Sequence, residues 1–142
     1  MSAENKAVIR RMVEAFNRGN LGLADELVSG NYVWHGPGGT DVRGPEGFKQ
    51  VASMYRTAFP DASLTIEDII AEGDKVVIRW TARGTHQCEL MGVAPSGRRV
   101  TVPGITISQV VDGKIVEEWE TFDQLGMFQA IGTVPSSVAH TA

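Results

Sequence analysis

A chain of 142 residues with 42% hydrophobic and 21% charged side chains has the composition of an ordered globular protein, and one domain of this length buries roughly two thirds of its unfolded surface. Its net charge of −4 leaves no basic footprint for nucleic acid, and no apolar run approaches the roughly 18 residues of a membrane span. A lone cysteine, Cys88, excludes an internal disulfide and a thiolate zinc site, and the absence of a signal-peptide core makes the cytoplasm the expected compartment.

The whole of 1–142 reads as one domain, with its core over about 5–131 and a frayed tail from Thr133. Val8, Ile9, Met12, Val13 and Phe16 recur at helical spacing and predict a helix over Asn5–Arg18, ended by Gly19. Leu21–Val28 reads as a second, shorter helix before Gly30. Tyr32–His35 is a short extended piece, and the segment GPGGTDVRG after it is too glycine-rich for a regular element. Pro45 opens the strongest helix, where its missing N–H costs nothing, and Pro60 closes it. Phe48, Val51, Ala52, Tyr55 and Phe59 form the apolar stripe of that helix.

Beyond Pro60 the period switches to two. Leu64–Ala71 and Lys75–Thr85 are strands joined by Glu72-Gly73-Asp74, and Cys88–Gly97 is a loop. Arg98–Val102 runs through Pro103-Gly104, a place suited to a bulge, into Ile105–Asp123. Asp112-Gly113 at the centre of that stretch is a favoured pair for a two-residue type I′ hairpin. Leu125–Ile131 is a short closing helix. Helices first and strands after give an α+β layout, with the helices packed on one face of a curved antiparallel sheet.

The segments AFNRGN, YVWH, RGPEGFKQ, EGDKVVIRWTARGTH, PSGRRV and DGKIVEEWETFDQLG, in that order over about residues 5–131, resemble the SnoaL-like polyketide cyclases and related ester-cyclase-like proteins of the nuclear transport factor 2-like superfamily. The resemblance implies a cone of sheet closed by the N-terminal helices around an internal pocket, often paired as a homodimer through the sheet. It also implies a cofactor-independent enzyme that closes a ring by intramolecular aldol condensation on a small, apolar, oxygen-decorated ligand, polycyclic ones included. The same fold hosts other lyases, isomerases and epoxide hydrolases as well as non-catalytic binding modules. Thr81 stands where the epoxide hydrolases carry an aspartate, which counts against epoxide opening.

Asp123 ends the WxxxD strand, where the resemblance places the proton carrier. An apolar pocket would raise the pKa of that carboxyl towards the working pH. Asp123 also directly precedes the last helix, where aspartate is a favoured N-cap, and a carboxylate fully engaged as a cap is a poor base. His35 matches a pocket histidine of the family that orients substrate oxygens, or is a loop-edge histidine. Arg79, mid-strand, either faces inward to a carboxylate or ligand oxyanion, with Asp123 a candidate partner, or faces solvent.

A two-residue turn pairs Thr106 with Trp119 and Gly104 with Thr121, so these and Asp123 share one face if no bulge intervenes. That face is expected to line the pocket. The other face carries Ile105, Ile107, Val116 and Phe122 beside Glu118 and Glu120 and would suit the dimer contact. Met12, Phe16 and Tyr55 are expected in the core or in the pocket wall, with the resemblance placing Phe16 against the ligand. No pair of histidines has ligand spacing, and no metal or cofactor is expected.

Overall fold

The computed structural model describes residues 2–132. The expected tail from Thr133 lies outside the described residues. Helix α1 (Ser2–Arg18) leads into a 3-10 turn at Leu21–Leu23, a single helical turn α2 (Ala24–Leu27) and strand β1 (Val28–His35). A 3-10 turn at Pro37–Gly39 and strand β2 (Asp41–Arg43) precede helix α3 (Gly44–Ala58). Four long strands follow, β3 (Ser63–Glu72), β4 (Lys75–Thr85), β5 (Arg99–Val111) and β6 (Lys114–Phe122), before the closing helix α4 (Gln124–Ala130). No described helix is long and apolar enough to cross a membrane.

The second helix expected over Leu21–Val28 is shorter than its apolar pattern implied. Val28 instead starts β1 and pairs with Ile115 of β6, because a strand neighbour satisfies its backbone where Ser29, Gly30 and Asn31 would support a helix poorly.

The six strands form one open sheet in the order β2-β1-β6-β5-β4-β3. Every neighbouring pair is antiparallel except β1 and β6, which run parallel. The sheet curves around α1 and α3, and its inner face supplies much of the core. On β4, Val76, Ile78 and Trp80 point inward at 5% exposure or less, against Ile9 and Met12 of α1. On β5 the alternation is regular over its length, with Val100, Val102, Gly104, Thr106, Ser108 and Val110 inward. Gly104 has a packing reason, since a Cβ there would meet the Trp80 ring at 2.2 Å.

The hairpin turn is the one the sequence predicts. Asp112 and Gly113 adopt φ of 51° and 77° and join Val111 to Lys114. The strand register beyond it is not. Val110 pairs with Ile115, but Gln109 pairs with Glu117, so Val116 is an extra residue on β6. From this bulge on, every β6 side chain sits on the face opposite to that of an unbroken ladder. Thr106 therefore faces Glu120, and Ile107 faces Trp119. No irregularity occurs at Pro103, which pairs in register with Thr81.

Candidate active site

A cavity of about 180 Å³ lies between α1, α3 and the concave face of the sheet. Most of its wall is apolar, with Met12 and Phe16 from α1, Phe48 and Tyr55 from α3, and Trp80 and Phe122 from the sheet. Two carboxyl groups, Glu118 and Glu120, are set into this wall side by side along β6. Arg83 also borders the cavity, but its side chain is exposed and follows the outward parity of β4, between inward Ala82 and buried Gly84.

Glu120 is held by a directed chain of hydrogen bonds. Trp80 Nε1 donates to Thr106 Oγ1 at 2.9 Å, which commits the Thr106 proton to Glu120 Oε1 at 3.0 Å. The Trp34 indole also donates to this carboxyl. Burial is the main influence on its protonation, followed by the nearby Glu118 carboxylate; together they outweigh the two donors and push the Glu120 pKa up to about 7. Glu118 lies deeper, at 8% exposure. Tyr32 Oη donates to its Oε1 at 2.6 Å, and Ser108 Oγ donates to its Oε2. Burial raises the Glu118 pKa, opposed by those two hydroxyls, and among the described residues no lysine or arginine pairs with it. The Tyr32 phenol is in turn pushed up, by its own burial first and by Glu118 second.

A carboxyl with a pKa near neutrality, oriented by fixed donors and walled by aromatic rings, is suited to taking up and returning a proton at pH 7. The Glu118 carboxylate on the same strand face acts on Glu120, so the protons of the two belong to the pair rather than to either alone. The cavity suits a flat apolar molecule that brings its own oxygens.

The residues expected from the sequence separate into two groups. Met12, Phe16, Tyr55 and Thr106 all line the cavity. Trp119 and Thr121 do not. The Val116 bulge turns both to the outer face, where Trp119 is 37% exposed. Asp123 is exposed and lies outside the lining; its Oδ1 accepts the Gly126 N–H at 2.9 Å and caps α4. Gly126 permits this, since a Cβ there would lie 2.2 Å from Asp123 Oδ2.

Arg79 faces outward, its Nε bonded to Asp68 Oδ2 at 2.7 Å across β3 and β4, rather than to Asp123. His35 also sits on the outer face. Its ring stacks on Trp119 with centroids 5.7 Å apart, while Nε2 meets Glu117 at 2.6 Å and Nδ1 meets Asp41 at 2.9 Å. Hydrogen bonds to Glu117 and then Asp41 hold this imidazole above its ordinary pKa. The three residues expected to share the chemistry thus occupy three separate places.

Glu118 and Glu120 are the residues that face counting missed. One signal for them was present in β5, where Thr106 and Ser108 interrupt an otherwise apolar inward row. Buried hydroxyls need partners, and the neighbouring strand had to supply them. Among the described residues no cluster of three or more histidine, cysteine or acidic side chains could hold a metal ion.

The chain is similar to several known proteins. The profile of the SnoaL-like polyketide cyclases matches residues 6–131. Aklanonic acid methyl ester cyclase AcmA of Streptomyces galilaeus is 34% identical over 134 residues, covering 92% of each chain. The corresponding cyclase DnrD of Streptomyces peucetius is 31% identical over 131 residues, covering 88% of each. Among solved structures, IdmH of Streptomyces antibioticus superposes with a TM-score of 0.80 at 38% identity, over 91% of this chain and 99% of its own.

Proposed function

The chain belongs to the SnoaL-like polyketide cyclase family, and on that premise we propose that it closes a carbocyclic ring by intramolecular aldol condensation, with Glu120 as the proton carrier. The observation that carries this reading is the Glu120 carboxyl, pushed up to about 7 inside an apolar cavity. The substrate class is a flat, oxygenated polyketide of the kind named for the relatives, an aklanonic acid methyl ester or a close analogue.

In this scheme the Glu120 carboxylate removes a proton from a carbon flanked by carbonyl groups. The resulting enolate carbon attacks a ketone within the same molecule, forming the new C–C bond, and the ketone oxygen becomes an alkoxide. Protonated Glu120 then returns its proton to that oxygen, so the carboxylate is restored. Only acid and base groups are used. Thr106 and Trp34 keep the carboxyl aimed, and Glu118 keeps its pKa high. Asp123, His35 and Arg79 contribute from outside the cavity, by capping α4, fastening β1 and β2 to β6, and linking β4 to β3. We assign the enzyme to the cytoplasm, where the single thiol of Cys88 stays reduced. We also propose that two copies pair through the outer face of the sheet, where Ile70, Ile105, Ile107 and Trp119 are exposed.

The test is incubation of wild type and Glu120→Gln with aklanonic acid methyl ester, followed by chromatography of the products. Cyclised product from the wild type and a loss of about 10²–10⁴-fold in the variant are expected. Full turnover by Glu120→Gln sinks the assignment.

A further inference from the structure

Nearly every polar hydrogen around the cavity is already committed to a carboxyl. Trp80 serves Thr106, Thr106 and Trp34 serve Glu120, and Tyr32 and Ser108 serve Glu118. None of these donors is left over for a ligand. The hydroxyl of Tyr55 is an exception within the wall, whereas the Arg83 guanidinium borders the cavity from an exposed side chain. Its ring lines the same cavity from α3, standing edge-on to Phe122 with centroids 6.0 Å apart and planes at 85°. Its O–H makes no hydrogen bond with any described residue. A phenol set into an apolar wall without a partner gives up a bond that a ligand oxygen can supply.

Tyr55 and Glu120 come from different layers bounding the cavity, one from the helix α3 and one from the strand β6. An aldol closure needs such a division, with a base on the carbon side and a donor at the oxygen where charge collects. We propose that the Tyr55 hydroxyl is the donor that binds the ketone oxygen of the substrate as it becomes an alkoxide. This rests on the reading of Glu120 as proton carrier.

The atoms balance without a further reagent. Glu120 removes the C–H proton, the C–C bond forms as the C=O π bond breaks, and Tyr55 donates a hydrogen bond to the alkoxide. The proton held on Glu120 then neutralises that oxygen. Tyr55 keeps its own proton throughout, because burial and, secondarily, the Glu120 charge raise its pKa above the ordinary phenol range. The other titratable groups at the cavity are Tyr32 and Glu118 from the sheet, bonded to each other, and the exposed Arg83 at its border. Helix α1 contributes apolar side chains to it, Met12 and Phe16 among them.

Tyr55→Phe keeps the ring against Phe122 and removes only the hydroxyl, so folding is preserved and is checked by its melting temperature. Two readouts are taken on wild type, Tyr55→Phe and Glu120→Gln. One is turnover of the ester substrate, and the other is fluorescence titration with 1,8-dihydroxyanthraquinone as an unreactive oxygenated probe. For Tyr55→Phe a kcat lower by about 10²-fold is expected, with probe binding weakened about tenfold. Glu120→Gln is expected to lose turnover and keep the probe. A Tyr55→Phe protein with wild-type kcat and wild-type probe affinity overturns the role of Tyr55 and leaves that of Glu120 standing. A wild type that neither turns over nor binds the probe overturns both.

Discussion

Glu120 and Glu118 differ in depth by one step along the same strand face, and under the proposed function that step divides their work. Glu120 reaches the cavity and titrates near pH 7, so the kcat/KM profile is expected to fall about tenfold per pH unit below that value. Removing the Glu118 charge with Glu118→Gln takes away one of the two influences that raise Glu120, and the acidic limb should then move below pH 7. A limb that stays in place would show that Glu118 carries no charge over the working range. The same shift has a consequence for folding. In the unfolded chain a glutamate titrates near ~4.3, whereas the folded chain holds the Glu120 proton up to about 7. The folded state therefore binds the extra proton between those values, and the stability it confers at low pH is lost as pH rises through the window. Each pKa unit corresponds to about 1.4 kcal/mol. Thermal melts of wild type should accordingly decline between pH 5 and 7.5, and those of Glu120→Gln should decline less.

The β5–β6 hairpin shows which features of an element local sequence can specify. Asp112-Gly113 fixed the turn, because the backbone angles there are a property of two residues. The inward row of β5 was equally legible, since its alternation never slips. The outer half of β6 was not, because a single unpaired Val116 reverses the parity of all that follows and leaves no mark in composition. The same slip separates Trp119 from the cavity and brings Glu120 into it. Asp123 was open to two readings, and its neighbour Gly126 held the deciding clue: a glycine three residues on leaves room for the capping carboxylate. Asp123→Ala should lower stability by about 1 kcal/mol, measured by chemical denaturation, with kcat near that of wild type. Gly126→Ala should act in the same direction by pushing the carboxylate off its N–H. A loss of kcat in Asp123→Ala out of proportion to its stability would return that residue to the chemistry.

At the scale of the molecule, α1, α3, the long strands β3 to β6 and the concave sheet follow from patterns visible along the chain. Strand β2 does not, since it lies in the GPGGTDVRG segment read as too glycine-rich for a regular element. The parallel pairing of β1 with β6 does not, since it joins residues such as His35 and Trp119 that no local period connects. That seam presents a His35–Trp119 stack on the outer face, near the exposed Ile105 and Ile107 of β5. An apolar surface of this kind is the proposed contact between two copies. Sedimentation at micromolar concentration should show a dimer, and Ile107→Glu should convert it to monomer while the cavity is untouched. A wild type that sediments as a monomer would remove that proposal. The Val116 bulge lies near the hairpin tip, and the ladder beyond it is otherwise continuous. Gaining or losing one codon at that point would exchange the entire set of β6 groups presented to the ligand, Glu118, Glu120 and Phe122 for Glu117, Trp119 and Thr121. A lineage that keeps this scaffold can therefore reach a different chemistry by a single in-frame insertion or deletion, a step that a comparison counting only substitutions would overlook.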